Sequence, residues 1–180
     1  MIEFELKARV DTLSPLRDAL EERHAHLDCA RVEQDRYYNH PCRDFGVTDE
    51  ALRVRRAGTE TVVTYKGAKI AGTRLKAREE LNLIIEDGAI FEEVLDKLGF
   101  RLTAEVTKQR ELWSLEDASI ALDDVEGLGT YAEVEILGER DDTEVEERVH
   151  TLARALGIVG TPITSSYLEL VLEHRKGSSP

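Results

Sequence analysis

Charged side chains recur two residues apart along several stretches of this chain. Glu3, Glu5 and Lys7 open the series. Arg53 and Arg55 follow, then Lys76, Arg78, Glu80 and Asn82, then Lys108 and Arg110, and last Glu133 and Glu135. In a β-strand, residues two apart share a face. Each row is therefore one polar face with a different face behind it. Ile2, Phe4 and Leu6 back the first row, Leu52 and Val54 the second, Thr107 and Gln109 flank Lys108 and Arg110, and Val134 and Ile136 back the last. Rows that mix cations with carboxylates can hold a highly charged anion together with a divalent metal ion. Arginine presents a planar fork to phosphate oxygens and lysine a point charge. Mg2+ and Mn2+ prefer oxygen ligands and bridge carboxylates to phosphates. A triphosphate plus a divalent metal satisfies both sets of charges.

For any single strand the simpler expectation is the wet side of an amphipathic sheet. Taken together, the strands argue otherwise. As a set the rows mix cations and anions instead of following the acidic bias of the chain. Of seven lysines, four (Lys7, Lys66, Lys76 and Lys108) fall on these strands, although the chain elsewhere prefers arginine, with seventeen. If the apolar faces pack against external helices, the charged faces point into a polar, hydrated lumen.

The elements that must position these residues follow from periodicity and from start and stop signals. Strands are predicted at Ile2–Val10, Ala30–Asn39, Ala51–Arg56, Thr61–Lys66, Arg74–Ile85, Leu102–Ser114, Ser119–Val125 and Thr130–Leu137. A first helix opens with Ser14 as N-cap and Pro15 in the first turn, and runs to Leu27. Asp87 caps a second, Ala89–Leu98, which Gly99 ends. Helices at Thr143–Leu156 and Ser166–His174 close the chain. Long antiparallel strands without strand–helix alternation give an α+β protein built around a closed or nearly closed antiparallel sheet. Residues 1–175 read as a single domain and 176–180 as a disordered tail.

Composition excludes several classes. At 180 residues with 41% hydrophobic and 34% charged side chains, the chain can bury about 70% of its unfolded surface, and it is not a disordered polymer. No apolar run reaches the roughly 18 residues that span a bilayer. The acidic start Met1-Ile2-Glu3-Phe4-Glu5 lacks the features of a signal peptide. Two cysteines, Cys29 and Cys42, make no disulfide framework. These features fit a cytoplasmic protein. A net charge of -13 would repel a nucleic-acid backbone. Few lysines on an acidic surface suit a salt-rich cytoplasm, or an ordinary acidic protein from an organism with GC-rich DNA.

Beyond the rows, the motifs are familiar in order. Glu3-Phe4-Glu5-Leu6-Lys7 resembles the E-x-E-x-K signature of the CYTH superfamily, which includes class IV adenylyl cyclases, thiamine triphosphatases and inorganic triphosphatases. The resemblance continues through Gln34-Asp35-Arg36-Tyr37-Tyr38, Ala51-Leu52-Arg53-Val54-Arg55, Thr64-Tyr65-Lys66-Gly67, Lys76-Ala77-Arg78-Glu79-Glu80 and Lys108-Gln109-Arg110. It ends with Leu122-Asp123-Asp124-Val125-Glu126-Gly127-Leu128-Gly129-Thr130-Tyr131-Ala132-Glu133-Val134-Glu135 and Ser166-Tyr167-Leu168-Glu169-Leu170. This ordered set spans nearly the whole chain. It implies a triphosphate tunnel: an eight-stranded antiparallel β-barrel with flanking external helices. Arg43-Asp44-Phe45 and the Gly127-Leu128-Gly129 segment resemble the class IV cyclase branch most. Asn82 departs from the pattern, since many relatives carry glutamate there.

The resemblance also implies roles. Glu3, Glu5, Asp123, Glu133 and Glu135, with Glu80 more weakly, are candidate ligands for Mg2+ or Mn2+. Lys7, Arg53, Arg55, Lys66, Lys76, Arg78, Lys108 and Arg110 would clamp the phosphates. Glu3, Glu5, Lys7 and Glu135 form the expected catalytic set. Three functions share this frame: a class IV adenylyl cyclase making cyclic AMP and pyrophosphate from ATP, a hydrolase of thiamine triphosphate or inorganic tripolyphosphate, and a noncatalytic nucleotide or polyphosphate binder. Paired carboxylates weigh against the last. The expected partner is a triphosphate-bearing small molecule, with no nucleic acid and no membrane; a homodimer is left open.

Other conspicuous residues have plainer readings. His24 and His26 are expected late in the first helix, beside its terminal carbonyls. His40 and Cys42 lack a second pair to complete a zinc site. Trp113 reads as packing, and Gly127 and Gly129 as a turn between strands.

Overall fold

The computed structural model describes residues 2–70, 76–139 and 142–177. Along them run β1 (Ile2–Arg9), α1 (Ser14–Glu22), β2 (His26–Asn39), α2 (Phe45–Thr48), β3 (Ala51–Ala57), β4 (Glu60–Lys66), β5 (Lys76–Arg78), β6 (Glu80–Ile85), α3 (Gly88–Lys97), β7 (Arg101–Leu115), β8 (Ala118–Val125), β9 (Gly129–Gly138), α4 (Thr143–Ala155) and α5 (Tyr167–Gly177). The strands hydrogen-bond in the order β5-β1-β9-β8-β7-β2-β3-β4-β6. The predicted class, α+β with an antiparallel sheet and helices on its apolar side, is the class observed.

Contacts gather into two compact units. The first holds β1, α1, β5, β8, β9 and α4 with the adjoining parts of β2 and β7. The second holds α2, β3, β4, β6, α3, α5 and the rest of β2 and β7.

In the first unit the apolar sides of β1 (Phe4, Leu6, Ala8), β8 (Ile120, Leu122) and β9 (Val134, Ile136) form one core with Leu16 and Leu20 of α1. Val145, Val149 and Ala153 of α4 complete it; their spacing of four lays an apolar stripe along one helix face. Trp113 is buried in the same core, as expected of a packing residue. In the second unit Tyr38, Val54 and Val63 pack against Leu95 and Phe91 of α3. In both units the helices take up the apolar sides of the strands.

The first helix is shorter than its sequence suggests, and the two histidines do not belong to it. The backbone turns at His24, whose φ of 58° is left-handed. The His24 N–H donates to the Glu21 carbonyl at 2.9 Å and the Ala25 N–H to the Leu20 carbonyl at 3.0 Å. This pair of bonds ends a helix on a left-handed residue, and histidine is among the non-glycine residues that enter that region most readily. The chain is then free to enter β2 at His26, four residues before the predicted Ala30. The same pair of bonds ends α3 at Gly99 (φ 85°) and α4 at Gly157 (φ 81°). At the other end of α1 the N-cap is Leu13, held in the core, and Ser14 is the first helical residue and not the cap. Asp87 caps α3 as predicted, its side chain accepting from the N–H groups of Ala89 and Ile90.

The single strand predicted over Arg74–Ile85 is two strands with different partners. β5 pairs with β1, placing Arg78 opposite Glu3, whereas β6 pairs with β4, placing Glu80 opposite Lys66. Only Glu79 separates them, and residues 71–75 lie outside the described residues. The strand count among the described residues is therefore nine where eight were predicted. Gly127, in the turn joining β8 to β9, and Gly129, where β9 begins, have φ of 75° and 98°, the role expected of them. The helix α5 includes positions 176 and 177, which the sequence assigned to the tail, and 178–180 lie outside the described residues.

Candidate functional site

Much of the polar face of these strands is not the wet side of a sheet. Lys7 is 2% exposed, Lys108 1%, Asp35 1% and Asp123 0%. Glu5, Glu33 and Arg78 are buried as well. Ions removed from water cost several kcal/mol each unless paired and hydrogen-bonded. The cross-strand registers supply those pairs.

In the first unit one chain of charges runs across four strands. Lys7 and Glu133 stand opposite each other on β1 and β9. The Lys7 ammonium lies 3.1 Å from Glu5 Oε1 and 3.1 Å from Glu133 Oε1. Glu133 reaches on to Arg110, with Nη2 2.5 Å from its Oε2. Arg110 and Asp123 face each other on β7 and β8, and the guanidinium donates twice, Nε to Oδ1 at 2.7 Å and Nη2 to Oδ2 at 2.5 Å. Burial opposes the charged form of Lys7, but the Glu5 and Glu133 carboxylates more than offset it and hold the ammonium well above the ordinary lysine range. Lys7 is thus a fixed cation.

Around this chain stand the other predicted residues. Glu5 is opposite Glu135 on β9 and opposite Lys76 on β5, and Glu3 is opposite Arg78. Lys108 is buried on β7, opposite Val125.

The second unit repeats the arrangement with different residues. Asp35 of β2 and Arg55 of β3 are in register, and Arg55 donates from Nε to Oδ1 at 2.6 Å and from Nη2 to Oδ2 at 2.8 Å. Its third nitrogen, Nη1, lies 3.1 Å from Glu33 Oε2. Arg53 donates to Thr64 Oγ1 at 3.0 Å, and Thr64 donates to Asn82 Oδ1 at 2.7 Å. Lys66 bonds Glu80 directly across β4 and β6. Glu80 is therefore engaged by a lysine on the neighbouring strand.

Sequence reasoning missed Glu33, Asp35 and Thr64 as members of these faces. The signal was present: Glu33-x-Asp35-x-Tyr37 is the same alternation seen elsewhere, and Asp35 lies within a motif already singled out. The segment Arg43-Asp44-Phe45 has a local structural part. Asp44 caps α2 by accepting from the Gly46 N–H at 3.0 Å, and the Arg43 guanidinium lies over the Phe45 ring, 5.3 Å from its centroid. The His40–Cys42 pair is used by the backbone, the Cys42 N–H donating to His40 Nδ1 at 3.1 Å.

Buried carboxylates of this kind are hard oxygen donors and fit a Mg2+ or Mn2+ ion. Among the described residues no three acidic, histidine or cysteine side chains gather closely enough to hold a metal by themselves. An ion here would take one or two carboxylates, with the remaining ligands from phosphate oxygens and water, as is usual for Mg2+. The Glu5 and Glu135 pair, facing each other across two strands, offers such a set.

The chain belongs to the CYTH domain family, whose model matches residues 1–166. That family comprises metal-dependent enzymes with triphosphate substrates. A Methanocaldococcus jannaschii protein named "Putative adenylate cyclase" is 37% identical over 173 residues, covering 94% of this chain and 98% of its own. A solved protein of Pyrococcus horikoshii OT3 is 40% identical, with a TM-score of 0.86 over 96% of this chain and 99% of its own. A solved Hippeastrum protein, named as an adenylyl cyclase that reveals a dominant triphosphatase activity, shares the fold at 18% identity and a TM-score of 0.65, covering 99% of this chain and 97% of its own. No helix among the described residues is long and apolar enough to cross a membrane.

Proposed function

We propose that this protein is a class IV adenylyl cyclase-like enzyme that converts ATP to cyclic AMP and pyrophosphate with a divalent metal. The observation that carries the reading is the buried, sign-mixed network on the strand faces, Glu5–Lys7–Glu133–Arg110–Asp123 above all. Apolar replacements for buried ion pairs are often as stable or more so, so stability alone does not call for this network; a highly charged ligand gives it a use. The name of the Methanocaldococcus relative, similar over nearly its whole length, supports cyclase in particular.

Lys7, Arg53, Arg55, Lys66, Lys76, Arg78, Lys108 and Arg110 bind the triphosphate oxygens in this reading. Glu5 and Glu135 hold the metal, with Glu3, Glu80, Asp123 and Glu133 as further carboxylates of the same faces. A bound divalent ion supplies electrostatic stabilisation of charge growing on the phosphates and lowers the pKa of the attacking hydroxyl. In the reaction, the ribose 3′-oxygen forms a bond to the α-phosphorus, the bond to pyrophosphate breaks, and the hydroxyl proton leaves to solvent. Lys7, fixed as an ammonium, serves as a cation and not as the base. Cyclisation needs the nucleoside held as well as the phosphates, so that the 3′-oxygen lies in line.

A second reading rests on the Hippeastrum neighbour, whose name shows that this fold also serves a triphosphatase. The same clamp would hold thiamine triphosphate or inorganic tripolyphosphate for attack by water on the terminal phosphate. Products from ATP, thiamine triphosphate and tripolyphosphate with Mg2+ or Mn2+ separate the two.

A further inference from the structure

Three polar side chains of the second unit form a relay with a fixed direction. The Arg53 guanidinium can only donate, and its Nη2 donates a hydrogen bond to Thr64 Oγ1 at 3.0 Å. Thr64 is fully buried. Its hydroxyl has one proton, which goes to Asn82 Oδ1 at 2.7 Å. The register sets this contact, because Thr64 and Asn82 are directly opposite on β4 and β6. A carboxamide held at its oxygen turns its NH2 group the other way. Asn82 is exposed, so that group faces outward from the polar side of β6, two residues from Glu80 and one strand from Lys66.

We propose that Asn82 is a substrate-binding residue whose amide nitrogen donates to a phosphoryl oxygen of the triphosphate, with Thr64 and Arg53 as positioning residues that fix its orientation. The proposal rests on reading these polar faces as a triphosphate site and names one contact within it. Its chemistry suits the place. An amide N–H is a neutral donor that complements an anionic oxygen and cannot ligate a cation. The Arg53 and Lys66 cations beside it draw an anion to the same face. Capping the Thr64 hydroxyl requires only an acceptor, which aspartate would provide equally well; the outward NH2 group is what asparagine adds.

Calorimetric titration of the full chain with tripolyphosphate and with ATP, without added metal, reads the contact independently of turnover. Two variants separate the lost donor from an added charge. Asn82→Asp keeps the acceptor for Thr64 but replaces the amide with a carboxylate, whereas Asn82→Leu removes the donor and adds no charge. Both should weaken tripolyphosphate and ATP by about tenfold or more, the scale of a hydrogen bond to a charged group. Thr64→Val should weaken both ligands several-fold by freeing the amide to turn, and Thr64→Ser should restore wild-type affinity. Weaker binding in Asn82→Asp alone would show a charge effect and overturn the proposal. Loss for ATP but not tripolyphosphate would overturn it too, because the contact would then lie on the nucleoside. Wild-type affinity in Thr64→Val would remove the positioning role. If the wild-type chain binds no tripolyphosphate, the triphosphate reading falls and this proposal with it; in every other outcome that reading stands whatever becomes of Asn82.

Discussion

Glu5 on β1 and Glu135 on β9 stand directly opposite each other, two carboxylates across one strand pair. Like charges directly opposite each other disfavour the strand pairing, and a divalent cation between them would reverse the sign. Glu5→Gln and Glu135→Gln should each abolish turnover with the fold intact, since the amide removes the charge at nearly constant shape. Glu135→Gln should also lose the rise in melting temperature that Mg2+ or Mn2+ produces in wild type. Near-normal activity at saturating Mg2+ in both variants would take these residues out of the metal site.

Lys66 and Arg55, both candidate phosphate ligands, should respond differently to truncation. Lys66 pairs with Glu80 in a partly accessible setting, and Lys66→Ala should weaken triphosphate binding by about 1.5–3 kcal/mol, the loss of one charge-assisted hydrogen bond. Arg55 holds Asp35 and Glu33, which are buried. Its removal leaves two carboxylates without their guanidinium, so Arg55→Ala should cost about 3–5 kcal/mol of stability. Urea unfolding and calorimetry on the two variants check this; equal melting of Arg55→Ala and wild type would mean the pair adds nothing to the fold.

Much of this was legible in the sequence, and the reasons for the remainder are specific. Alternation exposed Glu3, Glu5 and Lys7 as one face and Arg53 and Arg55 as another, because side-chain direction along a strand is a local property. The partners of those charges are not local. That Arg110 meets Asp123 and Lys66 meets Glu80 is decided by register, which is set over many residues by the turns and by core packing. For the same reason the row from Lys76 to Asn82 looked like one strand, although its two ends pair with β1 and β4. The α1 overrun has another cause. Helix ends are usually marked by glycine, and His24 takes the left-handed position without one.

Tyr38 gives the fold an alkaline limit. Burial first, and then its O–H donated to Glu92 Oε1 at 2.8 Å, push the phenol up to about 12. A folded-state value above the unfolded one of about 10 means that the stabilisation is complete below pH 10 and is lost as the pH rises from 10 to 12. Urea unfolding at pH 9, 10.5 and 11.5 should show stability falling more steeply in wild type than in Tyr38→Phe. Parallel curves for the two proteins would show that Tyr38 ionises as it does in the unfolded chain.

The most direct measurement is the identity of the products formed from ATP with Mg2+ or Mn2+. Cyclisation demands that the phosphates and the nucleoside be held together, whereas hydrolysis asks only for the phosphates, so the products report what the site achieves. Chromatography should show cyclic AMP and pyrophosphate in equal amounts, with little ADP or free phosphate. ADP and phosphate as the main products, or tripolyphosphate consumed far faster than ATP, would contradict the cyclase and leave a triphosphatase built on the same residues.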